Sequence, residues 1–384
     1  MNDLELYIHI PFCARKCTYC DFNSFPAGRA VQEKYTEALI KEIKRKSRLA
    51  ENYKVRSVFI GGGTPSLIDA RLIKDILDNV RRFYDVSDEA EITIESNPCT
   101  LGRAKLDSYL KAGINRISIG CQSTNDDNLK LLGRLHDFET FMRAYEAAVS
   151  AGFNNINADM IFGLPFQSAD EWKEELKTVS SLNLSHISVY SLILEEGTPL
   201  FEKQEELTFP DEDELAEMYA LSGNILSERG FHRYEISNYC KEGYECIHNL
   251  GYWQGVPYLG FGISAASYFN DTRWTNTSDI NKYLLNEQSA DTFDSLAPVD
   301  KIEEDVRRLE DEDKYSEFVM LGLRLTKGIS CAEFKDRFKK DIFSVFGAEL
   351  NKHLSMHTLV LDGDILKIPE EYLFVSNSIL VDFI

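Results

Sequence analysis

Between Tyr7 and Leu192 the chain alternates short apolar runs with longer stretches of helical spacing. The first run, Tyr7-Ile8-His9-Ile10-Pro11-Phe12, leads to helical spacing from Val31 to Leu49, then to Val55-Arg56-Ser57-Val58-Phe59-Ile60, a buried-strand pattern stopped by Gly61-Gly62-Gly63-Thr64-Pro65. The unit recurs: helices over 70–83, 102–111, 138–151 and 169–182 separate strands over 91–95, 116–120, 155–162 and 186–192. Strands joined by helices predict a parallel sheet, and right-handed crossovers curl it toward a barrel. With six strands the barrel stays open, so the expected fold class is α/β, an open (β/α)6 partial TIM barrel.

Beyond Leu192 the alternation breaks. An acidic stretch from Glu202 to Glu217 enters a helix over 213–229, followed by strand-like alternation over 232–239 and by His248-Asn249-Leu250-Gly251-Tyr252-Trp253. After a second acidic run, Glu303 to Asp313, helices are predicted over 314–323, 332–338 and 342–355, then strands over 358–361 and 365–368 joined by Asp362-Gly363-Asp364, a hairpin signal. This last part resembles a small winged-helix domain. Acidic runs are usually solvated surface or linker, and the second one is taken as a boundary. The expected division is a core barrel over 1–200, an extension over 201–300 and a winged-helix-like unit over 301–384.

Length and charge narrow the classes. A chain of 384 residues exceeds what one core usually organises. Its formal net charge of −21 argues against nucleic acid and anionic lipid as partners, leaving at most peripheral membrane contact through an apolar patch. The start, Met1-Asn2-Asp3-Leu4-Glu5, lacks the basic opening of a signal peptide, and no apolar run approaches the roughly twenty residues of a membrane span. Eight cysteines without a disulfide framework imply a reducing compartment, and a cytoplasmic location is expected.

The chemistry gathers at the ends of the expected strands. Cys13, Cys17 and Cys20 follow the first; a structural zinc site would want four ligands, usually as two CxxC pairs, whereas three thiolates suit an iron–sulfur cubane with one iron left open. The triple glycine, Glu95 with Asn97, Gln122 and Asp159 lie at or just past the ends of four others, and in a βα barrel those ends converge on one mouth. Gly61-Gly62-Gly63 is not GxGxxG: it is either a strand-end turn or a place where backbone approaches a ligand. Arg134, taken alone, reads as a solvated helix arginine. His248 beside Tyr252 and Trp253 reads either as a packing cluster or as a haem contact, an imidazole with flat rings.

CxxxCxxC looks like the signature of the radical S-adenosylmethionine family, and the run YIHIPFCARKCTYCDF resembles the oxygen-independent coproporphyrinogen III oxidase group, within it the HemW-type haem chaperones. The resemblance implies a 4Fe–4S cluster on Cys13, Cys17 and Cys20, its open iron chelated by S-adenosylmethionine. It further implies that Gly62, Gly63 and Thr64 meet the methionine end of that cofactor, that Glu95 accepts from its amino or ribose groups, and that Gln122, Arg134 and Asp159 serve ribose, carboxylate and amine. Tyr7 and Ile193 match cofactor positions by spacing. His248 opens an HNxxYW motif, which implies haem. Where the oxidases carry a fourth cysteine this chain has Phe22, and six residues precede Tyr7 where they have a longer arm. The function implied is haem binding and transfer to an acceptor protein without oxidase activity, a homodimer being compatible; the alternative is oxidative decarboxylation of coproporphyrinogen III.

Overall fold

In the computed structural model, which describes residues 2–289 and 302–384, the alternation becomes six parallel strands in chain order. These are β1 (Asn2–Ile10), β2 (Tyr53–Gly62), β3 (Val86–Ser96), β4 (Arg116–Gln122), β5 (Asn155–Phe162) and β6 (His186–Ser191). Helices α1 (Arg29–Lys46), α2 (Ala70–Phe83), α3 (Arg103–Lys111), α4 (Asp126–Leu131), α5 (Phe138–Ala151) and α6 (Ala169–Ser180) lie between them. Every residue of β4 is buried, as expected of a strand covered on both faces. α2 buries Leu72, Ile73, Ile76, Leu77 and Val80, one helical face, and starts on the Asp69 carboxylate, which accepts the Arg71 N–H. α5 stops at Gly152, whose φ of 109° suits a residue without Cβ.

The sheet then grows at both edges. After α7 (Pro199–Glu202) and α8 (Glu212–Glu228), strands β7 (His232–Arg233) and β8 (Asn238–Cys240) add antiparallel to β6. On the other side, after α9 (Ile247–Trp253), β9 (Tyr258–Phe261) pairs parallel to β1, and β10 (Ala266–Phe269), β11 (Thr272–Asn276) and, beyond α10 (Ile280–Ser289), β12 (Glu303–Arg308) follow antiparallel. The order is β12-β11-β10-β9-β1-β2-β3-β4-β5-β6-β8-β7, with no pairing between its ends among the described residues. The barrel is therefore open. The C-terminal part holds α11 (Asp311–Gly322), β13 (Ile329–Ser330), α12 (Cys331–Phe338), α13 (Ile342–Ser355), the hairpin β14 (Val360–Asp362) and β15 (Ile365–Lys367) turning at Gly363, and α14 (Asn377–Leu380). No helix among the described residues is long and apolar enough to cross a membrane.

Two local expectations give way and one helix goes unforeseen. The alternating stretch 232–239 is two short strands around a bend, because the Glu235 carboxylate accepts the Ser237 N–H (3.0 Å) and the Asn238 side chain (2.6 Å) and turns the chain back on itself. The acidic run 303–313 is not a linker: half of it is β12, whose Glu303 meets the buried Lys46 at 3.3 Å, and the other half caps α11 through Glu310 and Asp313. α4 escapes the periodicity because six residues are too few to show it; Asn125 caps it and two aspartates fill its first turn. The division expected between residues 300 and 301 lies outside the described residues.

Candidate functional site

The cysteine loop is held at both ends and in its middle. Phe12, fully buried, packs edge-on against Phe25 and Tyr35, while Cys13 N–H donates to Phe25 O (3.1 Å) and Phe25 N–H to Pro11 O (2.9 Å). Thr18 docks the middle of the loop on the end of α4, donating its N–H to Leu132 O (3.0 Å) and its hydroxyl to Leu131 O (2.9 Å). The three thiols are left half-exposed. Cys13 Sγ lies 3.3 Å from Thr64 Oγ1, and Cys17 Sγ accepts from Arg134 Nη1 at 3.7 Å. Burial pushes the Cys20 thiol up, and the neighbouring Cys17 and Cys13 add to this.

The residues fit the group the motif implies. A Cβ on Gly63 would come within 3.0 Å of Cys13 Sγ and of the Phe12 carbonyl oxygen, so only hydrogen fits against the sulfur. Three half-exposed thiols are a soft donor set suited to iron–sulfur. Next to them Gly62 adopts φ 109°, where an added Cβ would run into the His9 ring, and its N–H donates to Glu95 Oε2 at 3.0 Å. The expectation of a solvated helix arginine fails: Arg134 lies in the loop after α4, its Nη2 donates to Gly120 O (3.1 Å), and its Nε is buried with no protein partner. An orphaned buried donor beside the cysteines suits an anionic ligand group such as a carboxylate.

Gln122 ends β4 just past an irregularity in the β4–β5 register, with φ 69° and its amide packed against Gly120. Glu95 faces inward near the end of β3; burial, with the charge of Asp159 adding, pushes its carboxyl up to about 8. Asp159 does not lie at a strand end. It sits within β5, where its carboxylate accepts from Ser118 (2.8 Å) and Asn157 (2.8 Å), because the alternation of the strand points it into the barrel. Tyr7 also points inward, its hydroxyl 3.1 Å from His9 Nδ1 and its ring stacked on Phe59. Ile193 is 68% exposed beyond β6. The mouth thus brings together Cys13, Cys17, Cys20, Gly62, Gly63, Thr64, Glu95, Gln122 and Arg134, with Tyr7 and Asp159 one layer deeper.

His248 lies below this layer, lining one cavity with Tyr7, Glu95 and Asp159, its ring stacked 6.4 Å from that of Tyr7. Glu5, Ser57 and Glu91 are register partners across the amino-terminal halves of β1, β2 and β3, and α9 packs against this level. Glu91 caps α9, accepting the N–H groups of Ile247 (3.2 Å) and His248 (3.3 Å). The His248 ring is stacked on Phe59 at 5.0 Å, with Nδ1 bonded to Ser57 Oγ (2.8 Å) and Nε2 to the Tyr252 hydroxyl (3.0 Å). Burial, helped by Arg56 and Arg116, pushes its pKa down to about 3. Gly251 lets the helix approach: a Cβ there would overlap the Glu5 carboxylate. Sequence reasoning missed Glu5, Arg56, Ser57, Glu91 and Gly251. The available signal was charge inside apolar strands, since Glu5 and Glu91 are buried with Arg56 2.9 Å from Glu5.

An open six-stranded parallel barrel with three cysteines in the loop after its first strand defines a radical SAM protein, and the family model for the Radical SAM superfamily matches residues 7–179, while that for the HemN C-terminal domain matches 309–374. "Heme chaperone HemW" of Bacillus subtilis (strain 168) is 34% identical over 90% of this chain and 89% of its own length. "Heme chaperone HemW" of Escherichia coli (strain K12) is 40% identical over 68% of this chain and 69% of its own. The solved structure of coproporphyrinogen III oxidase (HemN) from Escherichia coli superposes with a TM-score of 0.84 over 100% of this chain and 90% of that one; at 22% identity it speaks for the fold alone. The chain belongs to the HemW family of radical SAM proteins.

Proposed function

We propose that this chain is a haem chaperone of the radical SAM type. It holds a 4Fe–4S cluster on Cys13, Cys17 and Cys20 and S-adenosylmethionine among Gly62, Gly63, Thr64, Glu95, Gln122 and Arg134, with Tyr7 and Asp159 below; it binds haem and passes it to an acceptor protein. When bound, the cluster supplies an iron with a free position for the amino and carboxylate groups of the cofactor. The observation that carries the reading is the similarity to a named heme chaperone over 90% of the chain. Phe22, 58% exposed, stands where the oxidases carry a cysteine, which supports haem transfer over decarboxylation.

The cavity beside His248 measures about 130 Å³, under the roughly 300 Å³ at which small-molecule sites begin. Beside the end of α9 a cavity of about 380 Å³ is lined by Trp253, Tyr268 and Phe318 together with Lys314, Lys327 and Arg337, with Glu317 and Glu333 also in its wall. Flat rings with cations suit a planar dicarboxylate, and the Trp253 N–H is buried without a protein partner. Haem is seated there in this reading; His248 lines the smaller cavity and not this one, and both its ring nitrogens are taken by Ser57 and Tyr252.

Haem titrated anaerobically into cluster-loaded protein is expected to give one stable Soret-absorbing complex per chain, and coproporphyrinogen III with S-adenosylmethionine and reductant is expected to give no vinyl product. Product vinyls without stable haem binding would replace this reading by the oxidase. 5′-Deoxyadenosine measured in the same incubation reports whether cofactor cleavage accompanies transfer.

A further inference from the structure

At the far edge of the sheet His232 of β7 and Cys240 of β8 are direct register partners. The chain then turns through Lys241–Tyr244, closed by Tyr244 N–H donating to Lys241 O (3.0 Å) with Gly243 at φ 78°, and returns Glu245 to the same place. His232 Nε2 is 2.9 Å from Glu245 Oε1 and 3.5 Å from Cys240 Sγ, and the three ligand atoms all lie within 4.8 Å of one another. We infer that His232, Cys240 and Glu245 form a binding site for a zinc-class divalent cation, separate from the cysteine loop.

Tetrahedral zinc at its usual bond lengths needs sulfur and nitrogen about 3.5 Å apart and nitrogen and oxygen about 3.3 Å apart. The first separation is already present, the second requires a small opening, and the sulfur-to-carboxylate separation, within 4.8 Å, has to come to about 3.6 Å. Thiolate, imidazole and carboxylate together select zinc over magnesium or calcium, which take oxygen sets. Access is built in: Cys240 is buried, while the side chains of His232 and Glu245 are 42% and 30% exposed. On binding, His232 presents the Nε2 lone pair and carries its proton on Nδ1, the thiol releases its proton to solvent, and water takes the fourth position. His186, the register partner of Cys240 on β6, is not a ligand, since its two nitrogens are bonded to Asn157 and Tyr234. The competing account is a plain His232–Glu245 ion pair beside an idle thiol. It predicts no metal.

The site is independent of the haem reading, so the test runs on cluster-loaded full-length protein with Zn²⁺ alone and then Co²⁺ alone. The parent is expected to retain one zinc per chain after gel filtration, with affinity at least tenfold weaker in His232→Ala and Glu245→Gln. Co²⁺ is expected to give a thiolate-to-metal absorption that is lost in Cys240→Ser and kept in Cys99→Ser, whose exposed thiol lies outside the site. Should Cys240→Ser fail to fold, the two half-exposed variants decide. Equal zinc affinity in parent, His232→Ala and Glu245→Gln, or a cobalt band that persists in folded Cys240→Ser, would overturn the site.

Discussion

At the carboxyl ends of β1 to β4 three thiols stand half-exposed, Arg134 Nε has no protein partner and Gly62 and Gly63 leave room for close approach. At the amino ends of β1 to β3, His248 has both ring nitrogens engaged, Glu91 caps α9, and Arg56 meets Glu5. Both ends are rich in polar groups on the same strands. The upper end presents open thiols and an orphaned arginine nitrogen, whereas at the lower end the His248 ring is engaged on both nitrogens while Glu5 Oε2 and Arg116 Nε stay buried without a hydrogen-bond partner. Polar residues inside a barrel therefore carry no functional meaning until their partners are counted. By that measure the mouth offers open ligand-type groups, while the His248 ring is tied on both nitrogens into a buried plug.

The sharpest break between the ends comes from the cysteines. Cys13→Ala, Cys17→Ala or Cys20→Ala is expected to remove the whole cluster, read as loss of its visible absorbance and of bound iron, while His248→Ala keeps both. A triple variant with four irons per chain would sink the assignment.

Next in size is the plug. His248→Ala removes a stacked ring and orphans Ser57 and Tyr252, and is expected to cost about 3 kcal/mol of stability in denaturant titrations. The pKa of His248 is depressed from 6.5 to about 3, so the unfolded chain binds the proton more readily than the folded one across that window. Stability from this residue is full above pH 6.5 and is lost as pH falls toward 3. His248→Gln should flatten the acid limb of the stability profile. An unchanged slope would mean that the ring is solvated and the plug is open.

A smaller effect is expected at the mouth. Glu95→Ala orphans the Gly62 N–H and removes an acceptor, costing about 1–3 kcal/mol of S-adenosylmethionine affinity by calorimetry with the cluster intact. Unchanged affinity would take Glu95 out of the site.

The mouth was more legible than the plug for a physical reason. Cysteine spacing, consecutive glycines and strand-end positions are local features, and the strand over 155–162 and the helices over 70–83 and 138–151 were placed to the residue because their periodicity is long and uninterrupted; the helix over 342–355 matches at its bounds although Phe346 kinks it. The plug is built from Glu5, Ser57, Glu91 and His248, up to 243 positions apart, and only sheet register brings them together. Arg134 was misread for the same reason, since nothing near it in the chain announces Cys17 as its neighbour. Strands β10 to β12 were missed because they are short, and β12, at the rim of the sheet, is almost entirely charged and mostly exposed.

The mildest effect follows from the state of Glu95. Burial, with Asp159, raises its pKa from 4.5 to about 8, so at neutral pH the free site holds the proton. Between these values the folded chain binds this proton more tightly than the unfolded one, and the cofactor-free protein loses stability as pH rises from 4.5 toward 8. A cationic amino or sulfonium group arriving at the mouth favours the carboxylate, so binding of S-adenosylmethionine should release a proton near pH 7. Affinity should then rise with pH by at most tenfold per unit, about 1.4 kcal/mol, and level off above about 8. Calorimetry in two buffers of different ionisation enthalpy measures the released proton directly, and the release should vanish in Glu95→Gln. If binding released no proton in the parent, Glu95 would hold its proton in the complex and meet a hydroxyl group of the cofactor instead of its charge.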